Sequence, residues 1–192
     1  MKIVLPAEPP VDRPTALRPW RESDLAAVVV ACQDPEIPRW TMVPEPYGEA
    51  DAREYLRIRH DWLHGGISAP FAIADAVVLD RLLGSIALMN FNWDHRRAEV
   101  GYWLAREARG HGHATRAVRL ICDWGFGTLG LERVGLSAAI ENLGSQRVAE
   151  RAGFTREAVR RRYLRIKDRQ MDMVAFALLA GDVTAAAASA AT

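Results

Sequence analysis

The sequence is poor in cysteine, in net charge and in long apolar runs. It has two cysteines in 192 residues, and its net charge is +1. Cys32 and Cys122 lie far apart in apolar, helix-like contexts, which predicts buried free thiols rather than a disulfide framework. A charge so close to zero does not favour a dedicated nucleic-acid-binding protein. No segment reaches the roughly 20 apolar residues that cross a bilayer, so no membrane association is expected.

A secretory signal is also missing. The N-terminal segment MKIVLPAEPPVDRP has a short apolar run that is broken by Pro6, Pro9 and Pro10, which predicts a cytoplasmic protein. The length suits one α/β domain with a full core. We expect an extended arm at residues 1–12, a domain at 13–180 and a flexible alanine-rich tail at 181–192.

Alternating hydrophobic periodicities run through the domain. Strands are expected at 15–19, 70–76, 82–91, 98–104, 133–140, 154–166 and 170–178, and helices at 24–32, 49–64, 113–129 and 144–152. The proline-rich segment 34–48 predicts an irregular loop. The order β-α-α-β-β-β-α-β-α-β-β predicts an α/β (α+β) domain, with a mixed central sheet of about six or seven strands and helices on both faces.

A glycine-rich turn separates the strand that ends near Leu104 from the next helix. This turn contains Gly110 and Gly112, and the helix begins at His113. Free backbone N–H groups and the positive end of the helix dipole meet there, which is an arrangement that binds phosphate. The segment matches neither GxxxxGK[ST] nor GxGxxG. A plain strand-to-helix turn remains the alternative interpretation.

The hexapeptide RGHGHA at 109–114 matches (Gln/Arg)-x-x-Gly-x-(Gly/Ala), and here the chain resembles the GNAT superfamily of N-acetyltransferases. AEVGYWLARE at 98–107, ENLGSQRVAERAGF at 141–154 and RQMDMVAFALL at 169–179 are similar to its ribosomal-protein N-terminal (alanine) acetyltransferase branch. The resemblance extends over roughly residues 13–180. It implies a GNAT-like fold and an enzyme that moves acetyl from acetyl-CoA to a primary amine, without a metal.

The resemblance also implies how acetyl-CoA is held. The backbone of Trp103, Leu104 and Ala105 would pair with the pantetheine arm, which Asn142 would also touch. The hydroxyl of Thr115 would assist at the pyrophosphate. The main pyrophosphate ligands would be the backbone N–H groups of Arg109, Gly110, His111, Gly112, His113 and Ala114. The two histidine side chains are expected to point outward, where they would add positive charge when protonated.

Three residues are candidates for the chemistry. Glu99 is the candidate base, on the strand face of Gly101 and Trp103 and opposite Tyr102; an exposed carboxylate paired with an arginine is the alternative. The resemblance places Ser145 as an acid toward the leaving sulfur, and helix capping is its alternative. Tyr163 is a second candidate acid, although a packed strand aromatic is the preferred interpretation. The arginines that could pair with Glu99 are Arg96, Arg97 and Arg106.

The acceptor is left open by the sequence. It would be a protein N-terminus or a small amine such as an aminoglycoside, polyamine or amino acid, and a non-catalytic acyl-CoA-binding module is the rival from another class. One wall of the acceptor pocket would lie on the first two helices and their loop, with ordinary core packing as the alternative. The candidate wall residues are Trp40, Met42, Tyr47, Tyr55 and Trp62.

Other clusters carry weaker signals. His60 and His64 have metal-ligand spacing on a helix, but HExxH is absent and a solvated helix face is favoured over a metal site. A basic run at 156–169 is interpreted as a solvated strand edge rather than a nucleic-acid surface, because no aromatic set is interleaved with it. An exposed sheet edge would allow a homodimer.

Overall fold

The computed structural model of the protein describes residues 3–183 and contains one eight-stranded sheet. The strands are β1 (Val11–Asp12), β2 (Thr15–Arg18), β3 (Ala69–Asp75), β4 (Leu82–Asn92), β5 (Arg97–Leu104), β6 (Arg133–Ala139), β7 (Thr155–Ile166) and β8 (Arg169–Leu179). The helices are α1 (Leu25–Ala31), α2 (Glu36–Trp40), α3 (Glu49–His64), α4 (His113–Gly127) and α5 (Leu143–Arg151). The spatial order of the strands is β1-β2-β3-β4-β5-β6-β8-β7. The predicted mixed α/β architecture is confirmed, and β1 is the additional short strand.

The sequence predicted an irregular loop over the whole segment 34–48. This prediction is wrong in part, because α2 forms within the segment. The carboxylate of Asp34 accepts a hydrogen bond from Glu36 N at 3.1 Å. Pro35 occupies the N-cap and Pro38 lies in the first turn, where a missing N–H leaves no intrahelical bond unmade. Four prolines in 15 residues therefore limited α2 to five residues rather than preventing it.

The chain ends are partly described. Ile3 is buried in the core, and Leu17 N donates to Pro10 O at 2.9 Å, so the segment before the domain is held along β2. At the other end, residues 180–183 form a helical turn that follows β8. Most of the predicted alanine-rich tail, from residue 184 onward, lies outside the described residues. The boundaries of arm, domain and tail stay predictions.

The two faces of the sheet carry separate cores. On one face, alternate β5 residues such as Val100 pack with Val118 and Ile121 of α4. On the other face, Trp103 packs with residues of α1 and α3, including Val28. Val118 and Ile121 are fully buried, and the burial of each stabilises the fold by about 1.5–3 kcal/mol. Side chains therefore pack against both faces of β5. This packing fixes the position of the strand that leads into the glycine-rich turn.

Both cysteines are buried and free, as predicted. Burial raises the pKa of Cys32 to about 11 and also raises the pKa of Cys122. Thiols held protonated in this way are poor nucleophiles. Neither is a candidate for the chemistry.

The sheet opens between β5 and β6. These parallel strands pair only at Arg97↔Arg133, Ala98↔Val134 and Glu99↔Gly135. Beyond Glu99, β5 continues to pair with β4, and β6 continues to pair with β8. Because the two strands run in the same direction, the turn after β5 and the start of α5 lie at the same end of the sheet. We call this gap the opening.

Candidate active site

The donor loop, residues 105–112, connects β5 to α4. It contains one 3₁₀ turn at Arg106–Ala108, followed by two glycines with left-handed backbone, Gly110 at φ 81° and Gly112 at φ 80°. A residue with a Cβ would pay roughly 1–2 kcal/mol in that conformation. Gly112 is also the N-cap of α4. The glycines are therefore what lets the chain turn sharply from the strand into the helix.

Unpaired backbone amides are concentrated at this turn. Within residues 3–183, none of the N–H groups from Gly110 to Thr115 donates to a protein acceptor, and the first helical bond runs from Arg116 N to Gly112 O at 3.2 Å. Six free donors at the positive end of a 15-residue helix form an anion-binding arrangement. The strand, glycine turn and helix predicted from the sequence are all present, and their contact with a pyrophosphate stays a prediction.

Arg109 braces this loop from within. Its Nε and Nη2 atoms donate to Leu104 O at 3.2 and 2.9 Å, and Nη1 lies 2.8 Å from a carboxylate oxygen of Asp34. Asp34 is nearly buried, so this ion pair is only partly screened by solvent. The arginine of the signature therefore ties the loop to the end of β5 and to the turn between α1 and α2.

The backbone that faces the opening belongs to Tyr102 and Leu104. Ala105 N donates to Leu83 O at 2.9 Å, and Trp103 lies opposite Ser85, so Ala105 and Trp103 direct their backbone groups toward β4. The alternate residues then face the opposite side. Of the three predicted partner residues Trp103–Ala105, Leu104 directs its backbone groups to the opening, and its carbonyl is bonded to Arg109. Pairing of this backbone with the pantetheine arm stays a prediction.

A hydroxyl pair lies where β5 and α5 approach each other. Ser145 Oγ is 3.0 Å from the hydroxyl of Tyr102, a residue to which the sequence had assigned no role. Burial raises the pKa of Tyr102 to about 12, so the phenol stays protonated at neutral pH. Asn142 Oδ1 accepts from Ser145 N at 3.0 Å, so the side chain of Asn142 caps α5. The hydroxyl of Ser145 is not used in that cap.

Glu99 lies at the last β5–β6 pair before the opening. It is half-buried, and Asn90 Nδ2 donates to its carboxylate at 3.1 Å. The ion-paired alternative is wrong, because Arg96 pairs with Glu132 and, within residues 3–183, no arginine pairs with Glu99. As the alternation predicts, Glu99 projects from the face opposite Tyr102. Its role as base stays a prediction.

Tyr163 lies on the edge strand β7. Its side chain is 51% exposed, so it is not the packed aromatic that was the preferred interpretation. The guanidinium of Arg160 lies 4.7 Å from the ring centroid. No hydrogen bond joins its hydroxyl to another residue in the described part of the chain. The structure gives no support to Tyr163 as an acid.

The two loop histidines differ. His111 is exposed, as expected, but the outward orientation predicted for His113 is wrong. His113 is 8% exposed and its Nδ1 lies 2.9 Å from Thr15 Oγ1 of β2. Burial lowers the pKa of His113, with His111 and Arg116 adding to the effect. This histidine is therefore a neutral contact between α4 and β2 rather than an added positive charge.

The five candidate wall residues do not form one surface. Tyr47 is buried in the α1–α3 core, and the hydroxyl of Tyr55 donates to Ser85 Oγ at 2.7 Å. Met42 and Trp62 are exposed. Trp40 alone reaches the strands beyond the opening, where it packs against a small cluster. That cluster consists of Ala139, Ile166, Met171 and Met173.

The rings of His60 and His64 lie 4.0 Å apart on exposed α3. Throughout residues 3–183, no group of three or more His, Cys, Asp or Glu residues is placed to hold a metal ion. In the same part of the chain, every helix is too short or too polar to cross a bilayer.

Comparison with known proteins agrees with this geometry. The family model of the acetyltransferase (GNAT) domain matches residues 15–155. The Bacillus subtilis protein provisionally named ribosomal N-acetyltransferase YdaF is 33% identical over 163 residues, which cover 85% of this chain and 88% of that protein. The Vibrio cholerae spermidine N(1)-acetyltransferase is 32% identical over 113 residues, covering 59% of this chain and 63% of that enzyme.

The fold comparison extends over nearly the whole chain. A structure of spermidine N-acetyltransferase from Vibrio cholerae in complex with CoA and spermine matches with a TM-score of 0.76 and 25% identity. It covers 90% of this chain and 99% of that one. The match of the family model, the open β5–β6 pair and the amide-lined donor loop lead to one conclusion: this chain belongs to the GNAT family of acetyl-CoA-dependent N-acetyltransferases.

Proposed function

We propose that this enzyme acetylates the α-amine of a polypeptide N-terminus in the cytoplasm. The observation that carries the proposal is the opening between β5 and β6, with the amide-lined donor loop at the same end. The similarity to YdaF over 85% of the chain supports a ribosomal or other protein acceptor. The similarity to spermidine acetyltransferases keeps a polyamine as the second candidate acceptor.

Acetyl-CoA, the co-substrate, supplies an activated thioester. For its pyrophosphate, the chain offers the free N–H groups of Gly110–Thr115 and the N-terminal dipole of α4. For its pantetheine arm, the chain offers the backbone of Tyr102 and Leu104 along the opening, with Asn142 at the start of α5. A Cβ at Gly112 would meet only the movable guanidinium of Arg116, so the left-handed backbone, rather than a lack of space, favours glycine at this point.

The side chains around the opening fit acyl transfer to an amine. Glu99 would accept the proton of the attacking amine, directly or through water. The amine nitrogen forms a bond to the thioester carbonyl carbon and the carbon–sulfur bond breaks. Ser145 would donate a proton to the departing sulfur, and its hydroxyl is positioned by Tyr102. Because Glu99 and Tyr102 project from opposite faces of β5, base and acid would approach the thioester from opposite sides.

The test is release of free thiol from acetyl-CoA over a panel of peptides, polyamines, amino acids and aminoglycosides. Mass spectrometry of the product should place the added acetyl group on the peptide α-amine. Calorimetric binding of CoA with no turnover on any amine would instead favour a non-catalytic acyl-CoA-binding module. Transfer to polyamines alone would favour the second candidate acceptor.

Sedimentation of the free protein would test the homodimer that the exposed edge strand β7 allows.

A further inference from the structure

Three consecutive arginines form a basic rim on the edge strand of the sheet. We call Arg160, Arg161 and Arg162 the basic rim. They belong to β7, which is outermost in the strand order and exposed over nearly all of its length. Arg162 has φ 50°, and the β7–β8 register shifts between Arg160 and Leu164. The irregular backbone makes this part of β7 a poor edge for strand addition.

The sheet topology places the rim at the mouth of the opening. On β8, Met173 lies opposite both Ala139, the last residue of β6, and Arg160 of β7. β7 and β8 form an antiparallel hairpin. The hairpin residues between Arg160 and Met173 therefore reach or extend past the C-terminal end of β6. The donor loop lies at this same end, because β5 and β6 are parallel. An acceptor that enters the opening passes close to the hairpin.

The segment between α2 and α3 contacts the turn of the β7–β8 hairpin. Lys167 at the hairpin turn lies 3.7 Å from Glu45, in the segment between α2 and α3. Trp40 packs against Ile166 and Met171 of the hairpin. The basic rim therefore lies beside the contact between the β7–β8 hairpin and the segment that contains Trp40 and Glu45.

The positive charge of Arg160 acts on Glu157 and helps to lower its pKa, whereas Arg161 and Arg162 form no salt bridge in the described residues. Lys167, Arg169 and Arg165 have Glu45, Glu141 and Asp168 within 4 Å. In the described part of the chain, no carboxylate forms a salt bridge with any rim arginine. The carboxylate of Asp172 accepts a hydrogen bond from the backbone N of Arg162 at 2.7 Å, and not from its guanidinium. Unpaired cations beside an active site attract an anionic ligand and repel a cationic one.

We propose that the acceptor is a polypeptide with acidic residues close behind its N-terminal amine, and that the basic rim binds those residues. The proposal rests on the proposed function and narrows its acceptor class. It disfavours a polyamine, because guanidinium groups that form no salt bridge would repel a polycation at the same mouth. It also disfavours nucleic acid, because β7 carries no aromatic besides Tyr163, and the guanidinium of Arg160 lies over the ring of Tyr163.

The experiment uses two acceptor peptides that share their first two residues and carry either glutamates or lysines at the next four positions. At low ionic strength, the glutamate peptide should be acetylated with a kcat/KM about tenfold higher, and the ratio should shrink as salt is added. Spermidine should be a poorer acceptor than either peptide. Equal rates for the two peptides, or a preference for spermidine, would overturn the proposal.

Substitutions in the basic rim test whether these arginines cause the preference for the glutamate peptide. Arg161→Glu combined with Arg162→Glu should reduce the preference for the glutamate peptide at least about fivefold. Arg156→Glu is the matched control: it lies on the same strand, is exposed and lacks a salt bridge, but it pairs with Phe176, about 13 Å further from the mouth. CoA affinity and thermal melting should be unchanged in both proteins. An unchanged preference in the rim variant would contradict the assignment.

Binding separates this proposal from the proposed function. Fluorescence anisotropy of the labelled peptides on the CoA-bound enzyme reports recognition without turnover. Tight binding of the glutamate peptide without acetylation would sink the proposed transfer and leave the rim as a docking site. Turnover on both peptides with equal binding would support the proposed transfer and contradict the rim as a docking site. A single-stranded oligonucleotide that binds more tightly than the glutamate peptide would replace the polypeptide assignment.

Discussion

The hydroxyl of Tyr102 on β5 lies 3.0 Å from the hydroxyl of Ser145 on α5, directly beside the opening. These residues are 43 positions apart, so only the tertiary fold, in which α5 packs on α4, β6 and β7, brings them together. The bond gives Ser145 a fixed partner that is itself held neutral by burial. Tyr102 is thereby a positioning residue for the candidate acid.

Removal of this bond should lower turnover with little effect on donor binding. In Tyr102→Phe, Ser145 loses one hydrogen bond of about 1 kcal/mol, which corresponds to roughly a fivefold fall in kcat. Ser145→Ala should reduce kcat further, and the double variant should be no slower than Ser145→Ala alone. Steady-state kinetics with calorimetric CoA binding would measure both quantities.

The comparison for stability is Tyr55→Phe, which removes the equivalent bond between Tyr55 and Ser85. The two phenylalanine variants should melt at similar temperatures. Strictly additive losses in the Tyr102 and Ser145 variants would show that the two hydroxyls act independently.

Gly112→Val should weaken CoA binding. The position has φ 80°, which a β-branched residue adopts only under strain, and the new Cβ would push the guanidinium of Arg116 aside. A reorganised donor loop should raise the calorimetric Kd for CoA by about tenfold or more, as 1–2 kcal/mol of strain implies. Gly127→Ala is the matched control, because a Cβ at that helical position meets open space. Unchanged affinity in Gly112→Val would argue against the loop as the pyrophosphate site.

Local patterns were sufficient to predict the donor loop, because the strand, the two glycines and the start of α4 are contiguous in the sequence. They were insufficient for Tyr102, for the contact between His113 and Thr15, and for the ion pair between Arg109 and Asp34, since each depends on residues brought together by the sheet order. The opening itself was invisible in the sequence, because hydrophobic alternation does not show where two paired strands separate.

Glu99→Gln should lower kcat much more than CoA affinity. A general base contributes about 10²–10⁴-fold to rate, and glutamine keeps the side-chain size and an acceptor for Asn90. Protonation of the base makes kcat/KM fall at low pH, and this fall should disappear in the variant. Glu132→Gln, at an exposed carboxylate paired with Arg96, should keep the wild-type pH profile. A normal pH–rate profile in Glu99→Gln would remove Glu99 as the base.

Asp34→Asn should loosen the donor loop from a distance. The substitution removes the charge that faces Arg109 Nη1 at 2.8 Å and leaves the guanidinium bonded to Leu104 O alone. A loss of about 1 kcal/mol in the free energy of unfolding is expected for a partly buried ion pair without hydrogen-bond geometry. Urea unfolding measures that loss, and CoA binding should weaken with it. Asp61→Asn, which removes a carboxylate near exposed Arg57, should cost less than about 0.5 kcal/mol.

His113 should make the stability of the enzyme fall in acid. Burial lowers its pKa below the ordinary 6.5, so the folded state binds this proton less readily than the unfolded state does. The contribution is fully present above pH 6.5, is lost progressively as the pH falls from there to the lowered folded-state pKa, and is constant below it. His113→Gln keeps a polar partner for Thr15 but does not titrate, so the difference in unfolding free energy between the two proteins should narrow from pH 7.5 to 5.5. Urea unfolding at both pH values provides the measurement, with His111→Gln as the exposed neighbouring control. A difference independent of pH would mean that protonation of His113 is not coupled to folding.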